Sequence, residues 1–479
     1  MTPPRIALGA VVILALTAAC IRPEATPDTE PLAPPDTFAP STTLTTQART
    51  TTTIDIEHAS IYPVDLVTLT PLGGFDPIPM GDWYEWYWAA VSTNGSWLAM
   101  TVGNDNSDAS QLRLIDLDTW EMAGSWAVPM TSPLQVSNNG TVYYTDALSS
   151  SNPQLSSLFP GSQQPVIVAD LPAGFYPWSN LQIHEDQVIM FGVKSPSVTR
   201  YNTGETTIVI ANPATGAVTE IPLPMVESGV VAEIDIGEAY PGAVSADPGV
   251  AWDREGSKVL IVHATRDVVS EVDLVTGEVS EHQFGTQVWS WGPLFTGTTG
   301  QGGGAFVGNR RTAALSRDGR ALYVATTLGE FVVGDEDWSA TTNSAGIIRI
   351  DTETWQIMDS LDAPISEIYL SAAGDRLLAT GSTYTEGMDI YEYTSFGFYV
   401  VDPVGLEVLA HHESTEQDRY YGAFTFSEDS QLGYVTSWGQ QANIDIVDLE
   451  TGDIIHTRSG GEIQVFGEVG ILGEVRQGP

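Results

Sequence analysis

The sequence predicts an all-β protein that is built by repetition of one small unit. Three observations predict it. Short apolar segments recur along the chain, polar turns of the Asn-Gly or Asp-Gly kind separate them, and an Asp followed by a Thr-Gly-like turn ends each group. Asn-Gly and Asp-Gly permit the positive φ of a tight hairpin, so each such turn pairs two antiparallel strands. Repetition of the theme over most of the chain predicts a series of similar sheets.

The chain begins with a predicted export segment. Arg5 provides a positive charge, residues 6–16 are apolar without interruption, and residues 17–19 are small and precede Cys20. An apolar stretch of this length is too short to remain as a membrane-spanning helix. The segment is therefore predicted to direct export.

The end of this segment resembles the lipobox of bacterial lipoproteins, with Thr17 at the position where Leu is usual. The resemblance implies a signal peptide over residues 1–19, acylation of Cys20, for example with palmitate, and anchoring in the cell envelope on the extracytoplasmic side of the membrane. An ordinary signal peptide followed by an incidental cysteine, or an uncleaved anchor, remains an alternative. Cys20 is the only cysteine, so the sequence allows no internal disulfide.

Residues 20–55 are predicted to form a lipidated, disordered N-terminal stalk. The segment is dominated by Pro and Thr and has little apolar surface to bury. At about 3 Å per residue in a polyproline-like geometry, it could hold the folded part as much as about 100 Å from the membrane. Residues 56–479 are then assigned to one repeat domain.

Three copies of the repeat are clearest. Their hairpin turns contain Asn94-Gly95, Asp318-Gly319 and Glu428-Asp429, and their closing turns begin at Asp116, Asp351 and Asp448. Weaker copies centre on residues 137–140, 184–186, 253–256 and 371–374, with closing turns at Asp273 and Asp402 for the last two. In each closing turn the Asp side chain is expected to accept backbone N–H groups.

Units spaced about 45 to 70 residues apart match four-stranded sheets stacked around an axis. The pattern resembles the WD40-like and YVTN-type β-propellers of bacteria over about residues 62–475, although the Gly-His and Trp-Asp signatures of WD40 repeats are missing. The resemblance implies a β-propeller of seven blades, with eight as the alternative. Strands at 64–69 and 462–466 are expected to complete one shared blade, which would hide the sheet edges.

The net charge of −43 excludes nucleic acid as a partner held by bulk electrostatics. Such a surface favours cations or basic partners, or serves only solubility. Two long insertions, at 228–248 and 286–309, interrupt the repeat. Long loops on a regular scaffold often carry function, and surface excursions without function are the alternative.

No catalytic, cofactor-binding or metal-ligating residue is assigned. The sequence has no Gly-x-Ser-x-Gly elbow, and its glycine run near Gly302 lacks the Gly-Lys-Ser/Thr ending of a phosphate loop. His411 and His412 are adjacent on a predicted strand, so they should point to opposite faces and not share one metal ion. The acidic clusters at 104–108 and 335–337 could bind Ca²⁺, because this cation prefers several oxygen ligands at once.

Aromatic residues gather at 83–88, and Trp289 and Trp291 fall within the second insertion. Aromatic rings with interspersed carboxylates suit glycans or cationic ligands, and packing of the domain wall is the alternative. The predicted function is a binding or scaffolding module for a protein, peptide or glycan. Two alternatives stay open: a lactonase-like or lyase-like enzyme with a divalent metal in the central channel, and a structural protein of the cell envelope.

Overall fold

The computed structural model describes residues 59–81, 85–103, 109–129, 133–146, 152–177, 181–195, 204–234, 242–253, 256–288, 306–333, 338–387, 391–414, 419–439, 442–460 and 462–475. These ranges form β-strands and one 3₁₀ turn, so the predicted all-β class is confirmed. The signal segment, Cys20 and the stalk lie outside the described residues.

The strands are numbered in chain order. The first are β1 (Ala59–Pro63), β2 (Ile78–Gly81), β3 (Glu85–Val91), β4 (Trp97–Gly103), β5 (Ala109–Asp116), β6 (Glu121–Pro129), β7 (Leu134–Val136), β8 (Val142–Thr145), β9 (Gln154–Leu158), β10 (Val166–Asp170), β11 (Phe175–Pro177), β12 (Gln182–His184), β13 (Gln187–Lys194), β14 (Glu205–Asn212), β15 (Ala217–Pro222), β16 (Gly229–Ile234) and β17 (Gly242–Asp247). Then follow β18 (Gly249–Trp252), β19 (Lys258–Val262), β20 (Arg266–Asp273), β21 (Val279–Val288), β22 (Phe306–Leu315), β23 (Ala321–Val333), β24 (Trp338–Asp351), β25 (Ile357–Leu361), β26 (Glu367–Leu370), β27 (Leu377–Gly387), β28 (Tyr391–Asp402), β29 (Glu407–His412), β30 (Tyr420–Phe426), β31 (Leu432–Trp438), β32 (Ala442–Asp448), β33 (Ile454–Gly460), β34 (Glu462–Phe466), the 3₁₀ turn η1 (Gly467–Val469) and β35 (Ile471–Val475).

Antiparallel pairing groups most of these strands in fours. In the described ranges the groups are β3–β6, β7–β10, β11–β15, β18–β21, β22–β25, β26–β29, β30–β33 and the set β2-β1-β35-β34. They amount to eight units, seven of four strands and one of five, which is one unit more than the seven that the repeat spacing favours and equal to the alternative. The seven repeat centres seen in the sequence each fall in one unit. The eighth unit has no such centre, because the two ends of the chain supply two strands each.

This shared sheet differs in one respect from the expectation. The late strand β34 occupies residues 462–466 as predicted, but the early strand is β1 and not 64–69, and β1 pairs with β35 from Ser60↔Glu474 to Pro63↔Ile471. The apolar residues after Val64 instead form a turn. Asp65 Oδ1 accepts the N–H groups of Val67 and Thr68 at 3.1 and 2.9 Å, and this capping ends the strand.

The hairpin turns have the predicted local chemistry. In the unit β22–β25, Ser316 Oγ donates to Asp318 Oδ1 at 2.7 Å, and Ser316 Oγ accepts the N–H of Ala321 at 2.9 Å. Gly319 follows with a φ of 72°, in the left-handed region. Ser92, Ser137 and Ser427 donate the same bond, from Oγ to the side-chain oxygen of the Asn or Asp two positions later. In each case the next residue has a positive φ. The turn is thus specified by residues that are near one another in sequence.

The closing turns also form as predicted. Asp351 Oδ1 accepts the N–H groups of Glu353 and Thr354 at 3.1 and 2.7 Å. Equivalent bonds are accepted by Asp116, Asp273, Asp402 and Asp448. Trp355 takes the place of the usual glycine with a φ of 58°, and its ring stacks on His282 of the preceding unit at 4.0 Å. This contact offsets part of the conformational cost of a positive φ.

The apolar core lies between neighbouring units. One cluster joins Leu378, Phe398 and Val400 of one unit to Phe424 and Val435 of the next, and similar clusters join the other described neighbours. Strands that are buried on both faces explain the continuous apolar runs in the sequence. Stacking of units is therefore the main source of burial.

One sheet is larger than the others, with ten described strands, and is called the composite sheet. β23–β24 and β27–β28 run past the ends of their units, and Ser339–Thr342 of β24 pairs with Tyr384–Gly387 of β27. The hairpin β16–β17, which is the described part of the first insertion, pairs in parallel with the start of β22. The composite sheet therefore combines strands of two units with an insertion.

Candidate functional site

The first strands of neighbouring units approach one another, since β22 packs against both β18 and β26. Side chains at the start of these strands therefore meet although they are distant in sequence. The parallel pairing of β17 with β22 places Asp247 opposite Arg310. Part of the first insertion thus lies at the point where the units converge.

An ion pair connects two units at this point. Arg310 Nη1 donates to Glu367 Oε1 at 2.7 Å, between the first strands β22 and β26. The Glu367 side chain is 9% exposed and that of Arg310 is 26% exposed. Partial exclusion of water strengthens the attraction, and a charge-assisted bond fixes both side chains.

Two tyrosines extend the cluster. Tyr369 donates a hydrogen bond to Glu367 Oε2 at 3.3 Å, and Tyr420, the first residue of β30, lies within the electrostatic reach of both Glu367 and Arg310. Burial raises the pKa of the Tyr420 hydroxyl above its usual range, and the Glu367 charge raises it further. The same two causes raise the pKa of Tyr369. Both hydroxyls therefore stay protonated at neutral pH and can act as hydrogen-bond donors.

Asp247 is the incompletely paired member of the cluster. Its Oδ1 is buried and has no hydrogen-bond partner. Burial raises the pKa of the Asp247 carboxyl, while the positive charge of Arg310 opposes the rise. A buried acceptor without a donor is energetically costly, so this oxygen is the group in the cluster that a ligand could satisfy.

A row of aromatic rings borders the cluster. The ring centroids of Tyr393 and Tyr420 are 5.9 Å apart with planes at 45°, and those of Tyr420 and Trp438 are 5.8 Å apart at 34°. Tyr393 lies on the part of β28 that runs past its unit, and all three rings are partly exposed. The row extends from the composite sheet to the last unit. Asp247, Arg310, Glu367, Tyr369, Tyr420, Tyr393 and Trp438 are called the inner-strand cluster below.

A second buried polar group lies nearby, around His263, and both ring nitrogens of this histidine have a partner. His263 Nε2 is 2.8 Å from Ser270 Oγ, and its Nδ1 is 2.7 Å from Arg266 Nη2. Arg311 donates to Asp267 Oδ1 at 2.8 Å and lies over the Phe284 ring. Burial, with the Arg266 and Arg311 charges, lowers the pKa of His263 to about 3. A neutral, fixed imidazole of this kind serves the packing of its unit.

The two adjacent histidines diverge, as predicted. His411 stacks on Tyr399 at 4.0 Å and bonds to the carbonyl of Phe396 through Nε2. His412 stacks on Phe398 at 4.6 Å and bonds to the carbonyl of Gly452. In the described part of the chain, no group of three or more His, Cys, Asp or Glu side chains is placed to hold a metal ion.

Several predicted features fall outside the described residues. They are Cys20, the acidic clusters at 104–108 and 335–337, the aromatics Trp83, Tyr84, Trp289 and Trp291, and most of the second insertion. Residues 85–88 form the first part of β3. Calcium binding at the acidic clusters stays a prediction.

The inner-strand cluster was not predicted from the sequence. Its central pair is separated by 57 positions, and no local motif marks either residue. The one available signal is the pair Arg310-Arg311, two adjacent arginines inside a strand of a chain with only 18 basic residues. Two positive charges on one buried strand require carboxylate partners from other strands.

No family model and no curated protein matches the chain. Among solved structures, Sqt1 of Chaetomium thermophilum, bound to the N-terminus of the ribosomal protein L10, has a TM-score of 0.50 at 10% identity, covering 81% of this chain and 96% of Sqt1. The dihydro-heme d1 dehydrogenase NirN in complex with DHE has a TM-score of 0.48 at 13% identity, covering 84% and 72%. An oligogalacturonate lyase in complex with manganese has a TM-score of 0.42 at 14% identity, covering 73% and 85%.

At such low identity these similarities concern the fold alone. The all-β architecture of antiparallel sheets, together with the similarity to Sqt1, defines the class: the fold is a β-propeller. The number of blades in the ring stays a prediction, with eight antiparallel units found in the described ranges.

Proposed function

We propose that the protein is an exported β-propeller, anchored to the membrane by lipid at Cys20, that acts as a binding or scaffolding module for a protein, peptide or glycan. The inner-strand cluster is the observation that carries the binding role. It gathers an ion pair, protonated tyrosine hydroxyls and partly exposed aromatic rings from adjacent units. Fixed donors, acceptors and rings of this kind suit recognition of a polar ligand.

The chemistry of the cluster favours binding over proton transfer. Arg310 and Glu367 neutralise each other, and the raised pKa values of Tyr369 and Tyr420 keep their hydroxyls protonated. A general acid or base works best with a pKa near the operating pH, and neither tyrosine meets that condition. The ion pair and the two tyrosines are therefore better suited to positioning a ligand than to exchanging protons with it.

Binding can be tested with peptide and glycan arrays probed with the full chain in neutral detergent. Arg310→Met should reduce the retained signal, because it breaks the ion pair and frees Glu367 to reorient. Arg349→Met is the matched control: Arg349 also pairs with a carboxylate, Asp359 at 3.0 Å, but on later strands of its unit. Equal signals for both variants, with both folded by circular dichroism, would refute a binding role for the cluster.

The lipid anchor is supported by the N-terminal sequence. No helix in the ranges described above is long and apolar enough to cross a membrane. Expression in a bacterial host with radiolabelled palmitate should label the wild-type chain and leave Cys20→Ala unlabelled. The variant should also lose its sedimentation with membranes. Labelling of Cys20→Ala to the same extent would contradict the proposed anchor.

A further inference from the structure

The inner-strand cluster carries more negative than positive charge. Asp247 and Glu367 supply two carboxyl groups, and both of them interact with the one guanidinium of Arg310. Glu367 is occupied on both oxygens, by Arg310 and by Tyr369. The carboxyl group without a matching positive charge is therefore that of Asp247, whose Oδ1 has no partner and whose ionised form is disfavoured by burial. The chain as a whole, at −43, adds a field of the same sign.

The aromatic row favours a cation at the same place. The face of a tyrosine or tryptophan ring attracts an ammonium group, and a nearby uncompensated carboxylate strengthens that attraction where water is partly excluded. Tyr420 belongs both to the row and to the electrostatic surroundings of Arg310 and Glu367. The rings are tilted by 45° and 34° to each other, so they offer no common flat surface for a sugar ring.

We propose that the inner-strand cluster binds the ammonium groups of a lysine-bearing peptide, with the rings of Tyr393, Tyr420 and Trp438 forming the contact surface and Asp247 supplying the excess negative charge. This inference rests on the proposed binding function and specifies the chemistry of its ligand. A bound ammonium favours the ionised form of Asp247, which burial alone disfavours. A neutral glycan would leave this charge uncompensated.

The test uses pentalysine with free ammonium groups as the probe and the full chain in neutral detergent, at about 0.15 M salt so that long-range attraction is screened. Pentalysine with ε-acetylated side chains is the matched peptide, since it keeps the backbone and removes the charges. Asp247→Asn and Tyr393→Leu should each weaken binding of pentalysine about tenfold, a change in the range of a desolvated cation–π contact.

Glu121→Gln is the control for bulk charge, because it removes one negative charge from the exposed outer strand β6. Its affinity should stay within about twofold of the wild type, as expected for an exposed charge. If Glu121→Gln and Asp247→Asn weaken binding equally, or if the acetylated peptide binds as well as pentalysine, the ammonium site is refuted. Tyr393→Leu, at a partly exposed position, keeps the test decisive if Asp247→Asn does not fold.

A neutral oligosaccharide, cellopentaose, separates this inference from the proposed function. Binding of cellopentaose that Arg310→Met abolishes, without binding of pentalysine, would refute the ammonium site and support a binding module of another specificity. Failure of both probes, together with array signals unaffected by Arg310→Met, would refute both proposals.

Discussion

Arg458 Nη2 donates a hydrogen bond to the hydroxyl of Tyr62 at 2.9 Å, and the two residues are 396 positions apart. Arg458 also donates to the carbonyl oxygen of Leu69, and its guanidinium lies 6.0 Å from the centroid of the Tyr62 ring. Tyr62 and Leu69 are buried. This residue of β33 therefore links the last unit to the start of the repeat domain.

Arg458→Met should lower the free energy of unfolding by about 1–3 kcal/mol, because it leaves the buried Leu69 carbonyl and the Tyr62 hydroxyl without this donor. Urea unfolding followed by tryptophan fluorescence measures the change. Lys194→Met is the control, since its ion pair with Glu220 is exposed and should contribute less than about 1 kcal/mol. If Arg458→Met lowers the free energy of unfolding no more than Lys194→Met does, the bonds of Arg458 contribute little to stability.

Two glycines provide a matched test of the hairpin turn. Gly319 has a φ of 72° and open space around the position of a Cβ, whereas Gly405 has the same open space without a left-handed φ. Gly319→Ala should therefore cost about 1 kcal/mol of stability from backbone strain alone. Gly405→Ala should be neutral or stabilising by about 0.4–1 kcal/mol, through the entropy of the unfolded chain. Equal thermal midpoints for the two variants would contradict this explanation.

Glu468 in the turn η1 should make stability depend on pH. Burial raises the pKa of its carboxyl to about 7, from an ordinary value of 4.5. Between these two pH values the folded state binds the proton more tightly than the unfolded state, so stability should fall as pH rises from about 4.5 to about 7.

Glu468→Gln should remove this component and be more stable than the wild type at pH 8, by about 1–3 kcal/mol. The measurement is the difference in unfolding free energy between the two proteins from pH 4.5 to 8. A difference in unfolding free energy that is constant with pH would contradict the predicted role of Glu468.

His263 should contribute a pH dependence of the opposite sign. Its pKa is lowered to about 3 in the folded protein, against an ordinary value of 6.5. The folded state therefore binds fewer protons in this interval, and the contribution of His263 to stability should be lost as pH falls from about 6.5 towards 3. In proton NMR spectra, the imidazole resonance of His263, assigned by its loss in His263→Gln, should stay at its neutral position down to pH 4. Titration near pH 6 would contradict the buried, neutral state.

The turns could be predicted from sequence because their bonds are local. Ser316, Asp318 and Gly319 specify one hairpin within four positions, and Asp351 caps the next turn within three. The early strand of the shared sheet was misplaced for a related reason. The apolar residues 64–69 suggest a strand, but the side chain of Asp65 captures the backbone N–H groups that a strand would use.

The inner-strand cluster could not be predicted in this way. Arg310, Glu367 and Tyr420 belong to three successive units, and each lies in a different strand with no local motif that connects it to the other two. Their meeting depends on how neighbouring units pack, which no short pattern encodes. The first insertion, one of the two candidate regions in the sequence, supplies one residue of the cluster. Its contribution, Asp247, is defined only by the parallel pairing of β17 with β22.

The shared sheet of β1, β2, β34 and β35 has a consequence for the order of biosynthesis. The ribosome makes β1 and β2 before the other described strands and must add all the strands between them before β34 and β35 exist. Until then β1 lacks the partner that covers one of its edges, and contacts of such large sequence separation form slowly. The nascent chain therefore depends on β34 and β35 to bury this edge, and a chain interrupted before these two strands would expose a strand prone to aggregation.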